Sequence, residues 1–170
     1  MKSLPELSKD LESNKTTARE LLELCFAKIY DPAGEGARAF LSVSHDKARA
    51  QADAMDSLRK SGSEPSAYAG IPISVKDLYD VKGEVTGAGS KILSTSAPAG
   101  QDAPTIARLR HAGFVFVGRN NMVEFAYAGI GMNSHFGTPK IPYDRANGRI
   151  PGGSTSGGAV AVADGMVAAT

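Results

Sequence analysis

The sequence predicts an α/β fold, in which helices pack against a buried sheet. Helical patterns recur within the first sixty residues, and an apolar strand pattern spans residues 71–76. Further along, a helix pattern at 105–112 leads directly into a strand pattern at 114–117. A helix that is followed at once by a buried strand is typical of layers of helix and sheet around one core.

The composition is that of a globular domain with a core. Of the 170 residues, 42% are hydrophobic, and 19 Lys and Arg nearly balance 18 Asp and Glu, which leaves a net charge of +1. This balance gives no electrostatic attraction to nucleic acid. The single cysteine excludes an internal disulfide framework. Charged residues within positions 1–13 exclude a signal peptide or a membrane span there, so we expect a cytoplasmic protein.

Two capping boxes mark the first helices. Ser3 and Glu6 begin a helix with a leucine stripe, and Thr17 and Glu20 begin a second apolar helix. Cys25 lies on the second helix, and no metal-ligand spacing surrounds it. We therefore expect Cys25 to be a core residue.

A short strand at 38–43 and a charged, alanine-rich helix at 44–60 are predicted next. Two Ser-x-x-Lys pairs in this helix match one motif of penicillin-binding enzymes. The companion motifs are missing, so we interpret both pairs as chance matches on a solvated helix.

The strand at 71–76 places Lys76 at the end of a largely buried strand. Burial disfavours an ammonium group and can lower the pKa of a lysine by roughly 3 to 5 when it is complete. A neutral amine near pH 7 can act as a base. The spacing alone leaves open an ion pair of Lys76 with Asp77 or Asp80.

A loop-rich region at 79–103 contains the tight turn Gly87–Ser90. This turn lacks the further glycine or the lysine that phosphate-binding loops require. Pro104 suits the first turn of the helix at 105–112, and Gly113 suits its end.

A glycine-rich loop occupies positions 129–134. His135 comes next and invites comparison with Ser-His triads. The Gly-x-Ser-x-Gly nucleophile elbow occurs nowhere in the sequence, so we do not expect His135 to act as a general base.

Glycine and hydroxyl residues are concentrated in the stretch 150–158, Ile-Pro-Gly-Gly-Ser-Thr-Ser-Gly-Gly. Its glycines permit backbone conformations that are closed to other residues, and its hydroxyl groups can approach a ligand closely. The small apolar residues of 159–169 then predict a helix that is buried on every side. Loops that open a core helix in this way commonly contact a substrate.

Together with the stretch 70–77, Gly-Ile-Pro-Ile-Ser-Val-Lys-Asp, this segment resembles the amidase signature family of serine amide hydrolases. The resemblance extends from about Leu21 onward. It implies an α/β/α layered sandwich with a mixed central sheet, of which this chain is the N-terminal part. It also implies amide hydrolysis without a metal or cofactor, by a nucleophilic serine, a relay serine held by a cis peptide bond, and an uncharged lysine.

The resemblance assigns roles to individual positions. Lys76 matches the lysine of the family, and Ser154 matches the relay serine. The segment 120–136 resembles a second landmark of the family, a short helix at 122–126 followed by the glycine-rich loop at 129–134. The backbone of this loop borders the substrate in relatives, and residues beside the relay serine support it. These supporting and substrate-side candidates are Gly152, Gly153, Thr155, Ser156, Ala128, Gly129 and Ile130.

The nucleophile of the family lies further along the chain than the relay serine, past Thr170. The apolar run that ends at Thr170 also shows no helix cap. From the sequence we therefore expect the N-terminal piece of a larger amidase, truncated before its nucleophile and inactive alone.

Two alternatives remain open at this stage. The first is the A subunit of a glutamine-dependent tRNA amidotransferase, which releases ammonia from glutamine and works with a tRNA-binding partner. The second is a non-catalytic nucleotide-binding α/β domain with the stretch 150–158 as a phosphate cradle, although that stretch contains no lysine. For the amidase we expect a small-molecule amide substrate and no direct contact with nucleic acid or membrane. A homodimer remains open.

Overall fold

A mixed three-stranded sheet organises the computed structural model, which describes residues 1–170. Six α-helices surround the sheet, and short 3-10 helices occupy Ile92–Thr95, Glu124–Ala126 and Arg145–Asn147. The predicted α/β class with a mixed sheet is confirmed. The strands are β1 (Phe40–Val43), β2 (Pro72–Lys76) and β3 (Val115–Asn120). The helices are α1 (Leu4–Glu12), α2 (Ala18–Ile29), α3 (Gly36–Ala39), α4 (His45–Lys60), α5 (Pro104–His111) and α6 (Ser156–Ala163).

The strand order is β1-β3-β2, so β3 lies in the centre. β1 runs antiparallel to β3, whereas β2 runs parallel to it. The parallel register pairs Pro72 with Val115 and Lys76 with Asn120. Because parallel strands end at the same edge of a sheet, Lys76 and Asn120 lie side by side at that edge.

The side chains of β3 point alternately to the two faces of the sheet, and each face packs against helices in its own apolar cluster. Val115 and Val117 point into the main core, which includes residues of α2, α4 and α6. Phe116 points to the other face and packs with Ile73 of β2 and Ile106 of α5. None of the helices has the length and the apolar character that a membrane crossing requires.

Both predicted capping boxes are present. The Glu20 N–H donates to Thr17 Oγ1 at 3.1 Å, while the Thr17 N–H donates to the Glu20 carboxylate at 2.9 Å. At the first box, both the N–H and the hydroxyl of Ser3 donate to the Glu6 carboxylate, at 2.9 and 2.5 Å. Caps of this kind are worth about 1 kcal/mol each. Cys25 is fully buried as expected, and burial raises the pKa of its thiol to about 12, so it is a core residue.

Two strand predictions need correction. The strand predicted at 38–43 begins only at Phe40, because Arg38 belongs to α3, where its guanidinium binds Glu35 at 2.7 Å. The strand predicted at 114–117 continues to Asn120. Its last residues are polar but buried, because β1 and β2 pair with them from either side.

The short helix expected over 122–126 forms only in part. Only a 3-10 turn forms there, and Phe125 and Ala126 adopt left-handed backbone angles with φ of 53° and 55°. Two N–H groups of this segment are bound elsewhere, since Val123 donates to Ser154 O and Phe125 donates to Ala88 O. Within the segment only the Ala126 N–H donates, to Val123 O at 2.9 Å.

The last helix also differs from its prediction. α6 starts at Ser156, earlier than predicted, and ends at Ala163, where Gly165 follows with a φ of 67°. A left-handed glycine just past a helix is a common stop signal. The expectation of an uncapped helix running to Thr170 is therefore wrong. Val162 is 39% exposed, so the helix is not buried on every side either.

A charged cluster joins α2 to α4 and makes the stability of the fold depend on pH. Glu23 accepts hydrogen bonds from Arg49 at 2.8 and 2.9 Å and from Arg19 at 2.9 Å. These guanidinium groups, with Arg49 first, lower the pKa of Glu23 to about 2 from an ordinary value of 4.5. The stabilisation is therefore fully present above about pH 4.5 and is lost as the pH falls through about 2.

The free energy of unfolding should decrease as the pH falls through this acidic range, and we expect a smaller decrease in the Glu23→Gln variant. The measurement is urea unfolding at a series of pH values, at low and at high salt, since salt screens an exposed pair. Glu12→Gln, at the exposed end of α1, serves as the control and is expected to behave like the unmodified chain. An unchanged pH dependence in Glu23→Gln would contradict the role of this cluster.

Candidate active site

The end of β2 and the loop before α6 meet in one polar contact. Lys76 Nζ lies 2.6 Å from Ser154 Oγ, although the two residues are 78 positions apart. Lys76 is half-buried, and this burial lowers the pKa of its amine. Neither carboxylate considered in the sequence pairs with it, because Asp77 binds an arginine and Asp80 binds a threonine. The ion-pair alternative for Lys76 is therefore not observed.

The backbone around Ser154 is held on both sides. The peptide bond between Gly153 and Ser154 is cis, as the family resemblance implies for the relay serine. The Gly153 N–H donates to Gly129 O at 2.7 Å, and the Val123 N–H donates to Ser154 O at 3.0 Å. A Cβ on Gly153 would lie 2.9 Å from Gly131 Cα, so only glycine allows this close approach.

The substrate-side candidates lie against this loop or next to it. Gly129 touches it directly through the hydrogen bond to Gly153, and Gly152 has a φ of 75° that favours glycine. Ala128 is half-buried, whereas Ile130 is exposed and free of the core. This edge of the site is therefore open to a ligand.

The remaining two candidates behave differently from each other. Thr155 lines a cleft of about 220 Å³ together with Lys76, Ser74 and Tyr79. Ser156 is completely buried at the start of α6, and its Oγ has no hydrogen-bond partner in the chain. The predicted support of a hydrogen-bond network by Ser156 is therefore not observed.

Sequence reasoning missed a group of buried polar residues around the Lys76–Ser154 pair. Asp77, Arg119 and Asn133 are each at most 5% exposed, and all three use their side chains in hydrogen bonds. One signal was visible in the sequence: after Gly118, the polar residues 119–121 follow the buried strand pattern of 114–117. A polar run at the end of an inner strand indicates a site that needs buried partners.

His135 does not reach the Lys76–Ser154 pair. Its Nε2 lies 3.1 Å from Glu124 Oε1, the same oxygen that accepts a hydrogen bond from Ser90 at 2.6 Å. The Ser90 hydroxyl first, and then His135, lower the pKa of the Glu124 carboxyl. The imidazole is thus bound to a carboxylate rather than placed beside a hydroxyl nucleophile.

The arrangement suits proton transfer. A neutral amine 2.6 Å from a hydroxyl can take its proton, and that hydroxyl can then take a proton from a second hydroxyl. Because burial lowers the pKa of Lys76, a larger fraction of this amine is neutral at a given pH than for a lysine in water.

Known proteins share both the sequence and the fold. The family model for Amidase matches residues 20–170. AtzE, the 1-carboxybiuret hydrolase subunit of Pseudomonas sp. (strain ADP), is 42% identical over 163 residues, covering 95% of this chain and 35% of the relative. The A subunit of the Glutamyl-tRNA(Gln) amidotransferase of Chromohalobacter salexigens is 39% identical over 168 residues, covering 99% of this chain and 34% of the relative.

A solved structure agrees with these relatives. It belongs to a vestigial protein complex that reveals the evolutionary origins of an s-triazine catabolic enzyme, and it matches with a TM-score of 0.90 and 40% identity. The match covers 98% of this chain and 36% of that chain. The present chain spans about a third of the length of the proteins that it matches. The sequence, the mixed α/β architecture and these matches together show that the chain belongs to the amidase signature family.

Proposed function

We propose that this chain supplies the proton-transfer groups of an amide-hydrolysing site, with Lys76 as the base and Ser154 as the relay. The observation that carries the assignment is the 2.6 Å contact between Lys76 Nζ and Ser154 Oγ at a half-buried position. We assign no residue of the chain as the nucleophile.

The proposed reaction begins when a nucleophilic hydroxyl attacks the amide carbonyl carbon. Ser154 Oγ takes the proton of that hydroxyl and passes its own proton to Lys76 Nζ. The proton then returns through Ser154 to the amide nitrogen, which leaves as ammonia or an amine. Water hydrolyses the remaining ester by the same route, so the acid is released and both residues regain their starting states.

We propose a small-molecule carboxylic amide as the substrate. The open edge formed by Gly129 and Ile130 adjoins the loop that carries Ser154, and it offers backbone groups and one apolar side chain to a ligand. A relative at 42% identity is named as a subunit of a hydrolase, which agrees with this class of reaction.

A second candidate function is favoured by the relative at 39% identity, which is named as part of an amidotransferase. In that case the amide would be glutamine, and the released ammonia would pass to a partner protein. Ammonia release from L-glutamine that depends on such a partner would distinguish this function from hydrolysis of a free amide.

The nucleotide-binding alternative lacks residues that would accompany a phosphate cradle, because the stretch 150–158 contains no lysine. Two N–H groups of this stretch are already bound within the chain, since Gly153 donates to Gly129 O and Gly157 donates to Asn121 O. The Ser154 hydroxyl contacts Lys76.

The assignment of Lys76 as the base is tested by titrating its amine. In the chain labelled with ¹⁵N-lysine, NMR of the Nζ resonance is expected to give a pKa below the ordinary value of 10.5, because burial disfavours the ammonium form. The Lys76→Met variant identifies the resonance. A Lys76 amine with an ordinary pKa would contradict its assignment as a base.

A further inference from the structure

Given the proposed function of Lys76 and Ser154, we infer that Asp77 is a positioning residue whose carboxylate holds the lysine against the serine by way of the turn Gly87–Ser90.

Every hydrogen-bonding group of Asp77 is engaged. Its backbone N–H donates to Asn120 O at 3.2 Å, and its carbonyl accepts from the Ala88 N–H at 2.8 Å. Its Oδ2 accepts from the Gly89 N–H at 2.9 Å, and its Oδ1 accepts from Arg119 Nε at 2.6 Å. Since Asp77 directly follows the lysine in sequence, these four bonds fix the backbone that carries the amine.

Arg119, the ion-pair partner of Asp77, further fixes the Asp77 carboxylate. Arg119 is only 5% exposed, and it also donates to Tyr79 O at 2.9 Å and contacts Glu84 at 3.4 Å. A buried ion pair is stable only when its remaining donors and acceptors are also satisfied. Arg119 meets this condition and ties the segment after β2 to the central strand.

Further hydrogen bonds connect the turn Gly87–Ser90 to the segment that holds Ser154. Ala88 O accepts from the Phe125 N–H at 2.9 Å, and Asn133 Nδ2 donates both to Gly89 O at 2.8 Å and to Met122 O at 2.7 Å. The segment 122–125 then reaches the serine, because its Val123 N–H donates to the Ser154 carbonyl.

These bonds close a ring that starts and ends at the contact between amine and hydroxyl. The turn fits closely against the carboxylate, since a Cβ on Gly87 would lie 2.8 Å from Asp77 Oδ2. A misplacement of about 1 Å between reacting groups can cost about 10²-fold in rate, so a ring of this kind matters for proton transfer.

The test measures the contact itself rather than turnover. Ser154→Ala is expected to shift the Lys76 ¹⁵Nζ resonance, because it removes the hydroxyl that lies beside the amine. The size of this shift is then compared in two variants that both carry Arg119→Leu, so that no guanidinium is left buried without its carboxylate.

The two variants differ only at position 77. Asp77→Asn keeps an acceptor for the Gly89 N–H and is expected to retain most of the Ser154-dependent shift. Asp77→Ala removes the acceptor and is expected to lose most of it, with amide exchange at Gly89 and Val123 faster by about 10-fold or more. Asp80→Asn is the matched control, because it removes an exposed carboxylate of the same loop, and it is expected to leave the shift unchanged.

An equal Ser154-dependent shift in the Asn and Ala variants would overturn the inference, even if Lys76 titrates below its ordinary value as the proposed function requires. If the Arg119→Leu background does not fold, Asn133→Ala breaks the same ring without touching an ion pair. Loss of most of the shift in Asn133→Ala supports the ring, and full retention overturns it.

Discussion

Lys76→Ala is expected to lower the rate of amide hydrolysis by about 10²- to 10⁴-fold, the usual contribution of a general base. Ser154→Ala is expected to have an effect of the same order, because in the proposed relay the amine reaches the nucleophile only through that hydroxyl. The fold should persist in both variants, since neither side chain belongs to an apolar core cluster. Unchanged unfolding midpoints would confirm this.

The rate is measured as ammonia release from carboxybiuret, L-glutamine and a peptide amide. Because the chain spans about a third of its relatives, residues 1–170 are assayed as part of a protein that carries the whole amidase-signature domain. The exposed residue Lys82 provides the control, and Lys82→Ala is expected to retain the unmodified rate. Near-normal hydrolysis in Lys76→Ala or Ser154→Ala would reject the assigned roles.

Two further properties distinguish a relay from two independent contributions. The double variant should be about as slow as either single variant, because residues that act as a unit are not additive. In addition, kcat/KM should rise with pH while the Lys76 amine loses its proton and should level off above its pKa, which burial lowers. This rising limb should be absent in Lys76→Ala.

The parts of the fold that depend on near neighbours could be predicted from the sequence. The capping boxes at Ser3 and Thr17 connect residues that are three positions apart. The strand that ends at Lys76 is buried, and its apolar composition predicts this burial. Lys76 and Ser154, by contrast, are 78 residues apart, and no spacing rule joins them. Their pairing came from the likeness to a known family.

The incorrect predictions concern segments whose backbone conformation depends on residues distant in the sequence. The family resemblance implies a short helix over 122–126, yet the N–H groups of Val123 and Phe125 bind Ser154 O and Ala88 O, and only a 3-10 turn forms. Arg119 extends the central strand because the carboxylate of Asp77, in the turn directly after β2, neutralises it there. Neither partner can be identified from local sequence, which explains why the buried polar residues around the site were missed.

Gly157→Ala is expected to destabilise the fold by about 1 to 3 kcal/mol, although alanine ordinarily stabilises a helix by about 1 kcal/mol relative to glycine. Gly157 lies in the first turn of α6, and a Cβ there would run into the backbones of Ala39 and Asn121. These backbones cannot move apart freely, because the Gly157 N–H donates to Asn121 O at 2.8 Å and the Asn121 N–H donates to Ala39 O at 2.9 Å.

The measurement is the midpoint of urea unfolding at an unchanged m-value, which separates a change in stability from a change in the unfolded state. Gly100→Ala is the matched control, because a Cβ at Gly100 meets nothing within 4 Å, and its effect is expected to stay within about 0.5 kcal/mol. A Gly157→Ala variant as stable as the unmodified chain would mean that α6 can move away from the end of β3. The packing of α6 would then not fix the loop that carries Ser154, and the hydrogen bonds of Gly153 and Val123 would have to hold the serine alone.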